Sequence, residues 1–164
     1  MARARPIPDL AADDAYASAA VKIVAVRARE VADHAHDVLD VADIEHLHDM
    51  RVATRRLRAA LEIFEPCFPP KEFGAALAQV KAIADALGER RDRDITIATL
   101  EAFAAAMPSP DRPGVHTLIE RQRAEQAEAN ETLAPFVDPG RLAALSELLF
   151  ELVAAADEAR GTPA

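Results

Sequence analysis

Eleven consecutive residues, His48-Asp-Met-Arg-Val-Ala-Thr-Arg-Arg-Leu-Arg58, carry four arginines and a histidine in a chain of formal net charge -9. At about 100° per residue, His48, Arg51, Arg55 and Arg58 fall in one narrow stripe of a helix. Met50, Ala53, Leu57, Ala60, Leu61 and Phe64 fall on the opposite side. One side suits a core and the other an anion. Guanidinium groups offer planar, forked donors that match phosphate oxygens, and the chain as a whole uses 16 Arg against 3 Lys. Acids that would neutralise the stripe from i+4 positions are scarce: Asp49 lies off it, and only Glu62 lies on it, one turn past Arg58. Like charges this close repel one another unless a counter-anion lies between them. From His48 to Arg58 a helix rises roughly 15 Å, so an extended polyanion would meet several groups. The plain alternative is a solvated helix face.

A second charged run, Ala86-Leu-Gly-Glu-Arg-Arg-Asp-Arg-Asp-Ile95, places Arg91 and Asp94 near the stripe of Leu77, Val80, Ala84 and Leu87. Charge among core positions is costly unless paired. Two readings follow: a structural Arg–Asp pair that sets helix register, or Asp92 or Asp94 orienting an arginine towards a ligand. Lys81 lies near the same face. Gly88 costs roughly 1 kcal/mol of helix propensity against Ala, which predicts a close approach by a neighbouring helix or a ligand.

These residues need helices to position them. Hydrophobic residues make up 51% and aromatics 4%, with no Trp. Much of the apolar content is alanine, the strongest helix former, and the β-branched and aromatic enrichment of strands is missing. Proline and glycine divide the chain. Residues 1–8 read as an irregular arm, 9–160 as one helical bundle and 161–164 as a flexible tail. Asp9 is the expected cap of a first helix reaching about Val38, and Asp43 the cap of a second that ends before Pro66. A third spans about Lys71 to Ala106, and a fourth spans Pro113 to about Ala134. The expected fold is an all-α, antiparallel up-down four-helix bundle with its last helix broken near Pro135–Gly140. Arg141 to about Arg160 is either a fifth helix or the bent continuation of the fourth.

His48-Asp-Met-Arg-Val-Ala-Thr-Arg-Arg-Leu-Arg-Ala-Ala-Leu61 followed by Leu87-Gly-Glu-Arg-Arg-Asp-Arg-Asp-Ile95 resembles the CHAD family, the conserved histidine α-helical domain, well over about residues 10–107 and loosely beyond. The resemblance implies a helical bundle that binds inorganic polyphosphate through a basic surface, in some members at polyphosphate granules. Carried over residue by residue, it implies His48, Arg51, Arg55, Arg56 and Arg58 from the second helix and Lys81 and Arg91 from the third. Arg56 points off the main stripe, beside Val52 and Ile63. Arg121 or Arg123 of the fourth helix would add a contact without a motif to mark them. Family members typically hold two tandem bundles, each with its own His-and-Arg helix, whereas this chain has one. It is therefore expected to be a half-length member or a fragment, or to pair as a homodimer that rebuilds the full basic channel.

Other chemistries fit less well. His34/His36 and His46/His48 are i,i+2 pairs, which point about 200° apart on a helix and cannot hold one metal ion between them. Without a cysteine cluster there is no zinc signature, and neither metal nor cofactor is expected. His48 as a phosphoacceptor would make the bundle similar to histidine phosphotransfer domains, but the small residues that open space around such a histidine are not evident. His48-Asp49 matches the pair of HD phosphohydrolases in type, while their further ligands are not recognisable and nothing supplies an activated water. No catalytic activity is expected. The rival reading is a phosphotransfer or protein-interaction bundle meeting an acidic partner. The acidic balance disfavours nucleic acid, which draws its affinity from a spread basic surface. Cys67 is the single cysteine, a loop residue that fits a reducing compartment. No apolar run reaches membrane-span length, and Pro6, Pro8, Asp9, Asp13 and Asp14 interrupt any signal-peptide core, so the expected location is the cytoplasm, without membrane contact.

Overall fold

The computed structural model describes residues 3–161, with side chains to residue 158, and its regular elements are all helical. Helix α1 spans Tyr16–Asp33, α2 Ile44–Ile63, α3 Pro70–Ala106, α4 Arg112–Leu133 and α5 Pro139–Gly161. Short 3-10 turns at Glu65–Cys67, Ser109–Asp111 and Ala134–Phe136 separate the last four helices. Residues 1–2 of the expected arm and 162–164 of the expected tail lie outside the described residues.

Local chemistry sets most of the ends. The Asp43 carboxylate accepts the Glu45 N–H at 3.1 Å and caps α2. Proline opens α3 and α5, where its missing N–H is not needed. Asp138 Oδ1 accepts the N–H groups of Gly140 and Arg141 at 2.9 and 3.1 Å and so starts α5 as a separate helix. The sequence had left a bent continuation of α4 open. With 37 residues, α3 is roughly 55 Å long.

Helix α1 is shorter than its sequence signals at both ends. Asp9 sits at φ 55°, outside any capping geometry, and residues before Tyr16 fold back along α1. Lys22 Nζ fastens them, donating to the Asp9 carbonyl at 2.6 Å and to the Asp14 carboxylate at 2.8 and 2.9 Å. At the other end Asp37 is at φ 54°, and the turn it makes tucks Val38 into the core at 2% exposure. The arm is also pinned: the Arg5 N–H donates to Glu30 Oε1 at 2.5 Å, and the Arg5 guanidinium meets Asp33 at 2.5 Å.

Helix α2 packs against α1 and α3, and α5 packs against the same two. Tyr16 Oη donates to the Ile63 carbonyl at 2.7 Å, tying the start of α1 to the end of α2. The six apolar residues expected opposite the cationic stripe are all buried, Met50, Ala53, Leu57 and Leu61 at 0% exposure. Helix α4 pairs mainly with the second half of α3, around a smaller core of Ile97, Ala104, Val115 and Ile119. The wall beside α1 is therefore supplied by α5.

One carboxylate is buried between α1 and α2. Glu30 is 1% exposed and accepts from Arg27 at 2.7 Å. Burial by itself raises its pKa, but the Arg5 N–H, the Arg27 bond and the charges of Arg27 and Arg56 outweigh it and hold the carboxyl below its ordinary value. A carboxylate lowered in this way stabilises the fold fully above its unfolded pKa and loses that contribution as pH falls through the folded value. Thermal unfolding followed from neutral to acidic pH should show a shallower acid loss for Glu30→Gln than for the natural chain. Parallel pH profiles would remove Glu30 from this role.

Candidate anion-binding groove

Between α2 and α3 runs an open groove of about 380 Å³, walled by Arg51, Arg55, Arg58, Ala59 and Glu62 of α2 and by Ala84 and Asp85 of α3. The rotation of α2 is set by its buried side: with Met50, Leu57 and Leu61 fully buried, the arginines at i, i+4 and i+7 must face away from the core. Arg51 and Arg55, one turn apart, enter no hydrogen bond or ion pair among the described residues. Arg58 differs. Its Nε donates to Glu62 Oε1 at 2.9 Å, and Lys81 Nζ approaches the same oxygen at 3.6 Å from α3. The Arg58 hydrogen bond, with the charges of Arg58 and Lys81, holds the Glu62 carboxyl below its ordinary pKa against slight desolvation. Glu62 is therefore an anion at neutral pH.

A family model for the CHAD domain matches residues 22–164. The chain belongs to the CHAD family. No curated protein matches it.

The expected site residues of this CHAD domain divide into three groups. Arg51, Arg55 and Arg58 come together in the groove. His48, Lys81 and Arg91 stand outside the walls of its central volume. His48 lies partly buried one turn before Arg51. Arg91 Nη1 donates to the Ile44 carbonyl at 3.4 Å, one turn before His48, while Lys81 flanks Glu62. The α3 wall thus has cations near both ends and an acid, Asp85, between them. Asp85 carried no sequence signal beyond its i+4 spacing from Lys81.

Arg56 does not join the groove. One residue on from Arg55, it is turned about 100° around α2 towards α1, where its charge bears on Glu30. Arg121 and Arg123 lie on α4, which does not border the groove, and both are paired: Arg121 with Glu125 at 3.1 Å, Arg123 with Glu120 and Glu101 at 2.7 and 2.8 Å.

The core pair is also displaced by one residue from its expected place. Arg90, not Arg91, binds Asp94; Arg90 is 0% and Asp94 2% exposed. Gln126 Nε2 of α4 donates to Asp94 Oδ1 at 2.7 Å. From Phe73 to Ile97 the buried positions of α3 are Phe73, Ala76, Val80, Ile83, Leu87, Arg90, Asp94 and Ile97, with Ala86 beside them. Their alternating steps of three and four follow a 3.5-residue repeat, and Arg90 and Asp94 occupy two consecutive places in it. Of the four residues from which the expected stripe was drawn, Val80 and Leu87 are buried, but Leu77 and Ala84 are only partly buried. Asp94 therefore orients no groove arginine.

Gly88 is not a point of close approach. A Cβ placed there meets nothing within 4 Å, so the glycine leaves open space one turn beyond Asp85. Tertiary folding does bring two histidines together, His36 and His46, with ring centroids 5.1 Å apart. Among the described residues no group of three side chains suited to a metal forms, and no helix is long and apolar enough to cross a membrane.

Proposed function

We propose that this CHAD domain binds inorganic polyphosphate, or another extended phosphate polymer, and does not alter it chemically. The observation that carries the reading is the pair Arg51 and Arg55, two guanidiniums without partners among the described residues, side by side in an open groove. Each presents a fork for a phosphate oxygen pair. Arg58 and Lys81 continue the line in one direction. His48 and Arg91 extend it in the other, where His48 donates hydrogen bonds and adds charge when protonated. A net charge of -9 limits attraction to this strip and disfavours nucleic acid, whose binding rests on many dispersed phosphate contacts.

The groove is walled by two helices and open on its outer side, so a second copy related by a twofold axis would bring a like strip to the polymer's other face. Homodimerisation is part of the proposal, as is action in the reducing cytoplasm. A monomeric mass by light scattering, with and without polyphosphate, would remove the dimer.

A titration with labelled long-chain polyphosphate across a salt series tests the binding. By analogy with single strands, each neutralised phosphate contributes about -0.7 to the slope of log K against log salt, so engagement of Arg51, Arg55, Arg58 and Lys81 predicts about -3. Long chains should outcompete tRNA, DNA and orthophosphate at equal phosphate, and their length should be unchanged after incubation. Salt-independent binding, or equal competition by orthophosphate, would overturn the reading.

A further inference from the structure

We infer that Glu62 is a built-in competitor for the phosphate chain at Arg58 and Lys81, which weakens the groove's hold on long polymers and leaves the binding of short ones unchanged. The inference rests on the polyphosphate reading and concerns how the same groove holds phosphate ligands of different length. The groove has two unlike halves. At Arg51 and Arg55 the guanidiniums are unpartnered among the described residues, so a short anion can bind there without displacing anything. At Arg58 and Lys81 the cations already share one carboxylate oxygen, at 2.9 and 3.6 Å. That carboxylate occupies the place a phosphate oxygen would take.

A short phosphate held by Arg51 and Arg55 leaves Glu62 where it is. From Arg51 to Arg58 the helix advances about 10 Å, so only a longer chain reaches the second half while still held in the first. There it displaces Glu62, whose side chain is 44% exposed and free to swing into solvent. Asp85 lines the same groove and opposes any anion that is not held at several points. Short phosphates therefore gain only the unpaired arginines. Long ones gain all four cations, less the cost of moving Glu62.

Glu62→Gln in the full chain tests this. It removes the competing charge and keeps the side chain's size. Glu147→Gln on α5, exposed and outside the groove, makes the same change in net charge. Binding of long-chain polyphosphate and of tripolyphosphate is measured for both by calorimetry, with thermal melts to confirm folding. Relative to Glu147→Gln, Glu62→Gln should tighten long-chain binding about two- to fivefold, the scale of one exposed ion pair. Tripolyphosphate affinity should stay within about twofold of the natural chain on the same scale. Equal effects of the two variants on the long chain, or an equal gain for tripolyphosphate, would overturn the role of Glu62. If Arg51→Ala/Arg55→Ala abolishes binding in the same assay, such a result counts against Glu62 alone. If that double variant binds normally, the groove reading fails, and the role of Glu62 fails with it.

Discussion

Asp94→Ala should destabilise the protein by about 3–5 kcal/mol, the scale for a buried charge that loses its partner. Arg90 is fully buried and binds Asp94 through Nη1, while its Nε and Nη2 have no hydrogen-bond partner among the described residues. Removal of Asp94 leaves a guanidinium in the α3–α4 contact with no opposite charge, and also strands the Gln126 amide. Against the roughly 5–15 kcal/mol that holds a domain together, such a loss is large. Urea unfolding of the variant measures it. A change below about 1 kcal/mol would mean that Arg90 finds water or another partner at little cost. Replacing both members by apolar residues, Arg90→Met with Asp94→Leu, should be neutral or stabilising by up to about 4 kcal/mol. That contrast separates the cost of an orphaned charge from the value of the pair.

Arg51→Ala/Arg55→Ala should leave folding intact and weaken long-chain polyphosphate binding by roughly a hundredfold or more. A hydrogen bond to a charged group contributes about 1.5–3 kcal/mol, and two of them together give that factor. Both side chains face the groove and neither makes a hydrogen bond or ion pair among the described residues, so their loss removes no intramolecular bond. The salt slope should shrink by about 1.4, twice the value for one phosphate contact on a single strand. Arg121→Ala with Arg123→Ala, an equal loss of charge on α4, should have a much smaller effect. Equal losses from the two double variants would reduce the groove to general electrostatics and reject the assignment of Arg51 and Arg55.

The cationic face was legible in the sequence because α2 has an unambiguous apolar side. Its buried residues recur at helical spacing over about five turns, and only one rotation of the helix satisfies them all. Arg56 was marked as off-stripe by the same arithmetic, although Glu30, the carboxyl on which its charge bears from 26 residues later in the chain, was not readable. On α3 the apolar signal was weaker. Alanines lie on several sides of it, so Leu77 and Ala84 competed with Ile83 and Ala86 for the core, and Arg91 was placed where Arg90 belongs. The intact 3-4 alternation through Phe73, Ala76, Val80, Ile83 and Leu87 would have found Arg90. The two ends of α1 depended on one aspartate each at positive φ, Asp9 before it and Asp37 after it, a conformation that residue identity permits but does not require.

The sequence by itself determined that the chain is helical, where α2, α3 and α4 begin and end to within a residue or two, and which side of α2 carries Arg51, Arg55 and Arg58. Propensity, caps and apolar periodicity are local, and they act within a few turns of one helix. Only the tertiary structure decided what stands opposite that side. The packing of α3 against α2 placed Asp85 and Lys81 across from the arginines and let Glu62 bridge Arg58 and Lys81. It also turned Arg56 towards Glu30 and buried Arg90 against α4. Pairing between helices depends on their relative rotation and axial offset, which many distant side chains fix together through close packing. The basic face is thus a property of one helix, and the groove, with its acid inside, is a property of two.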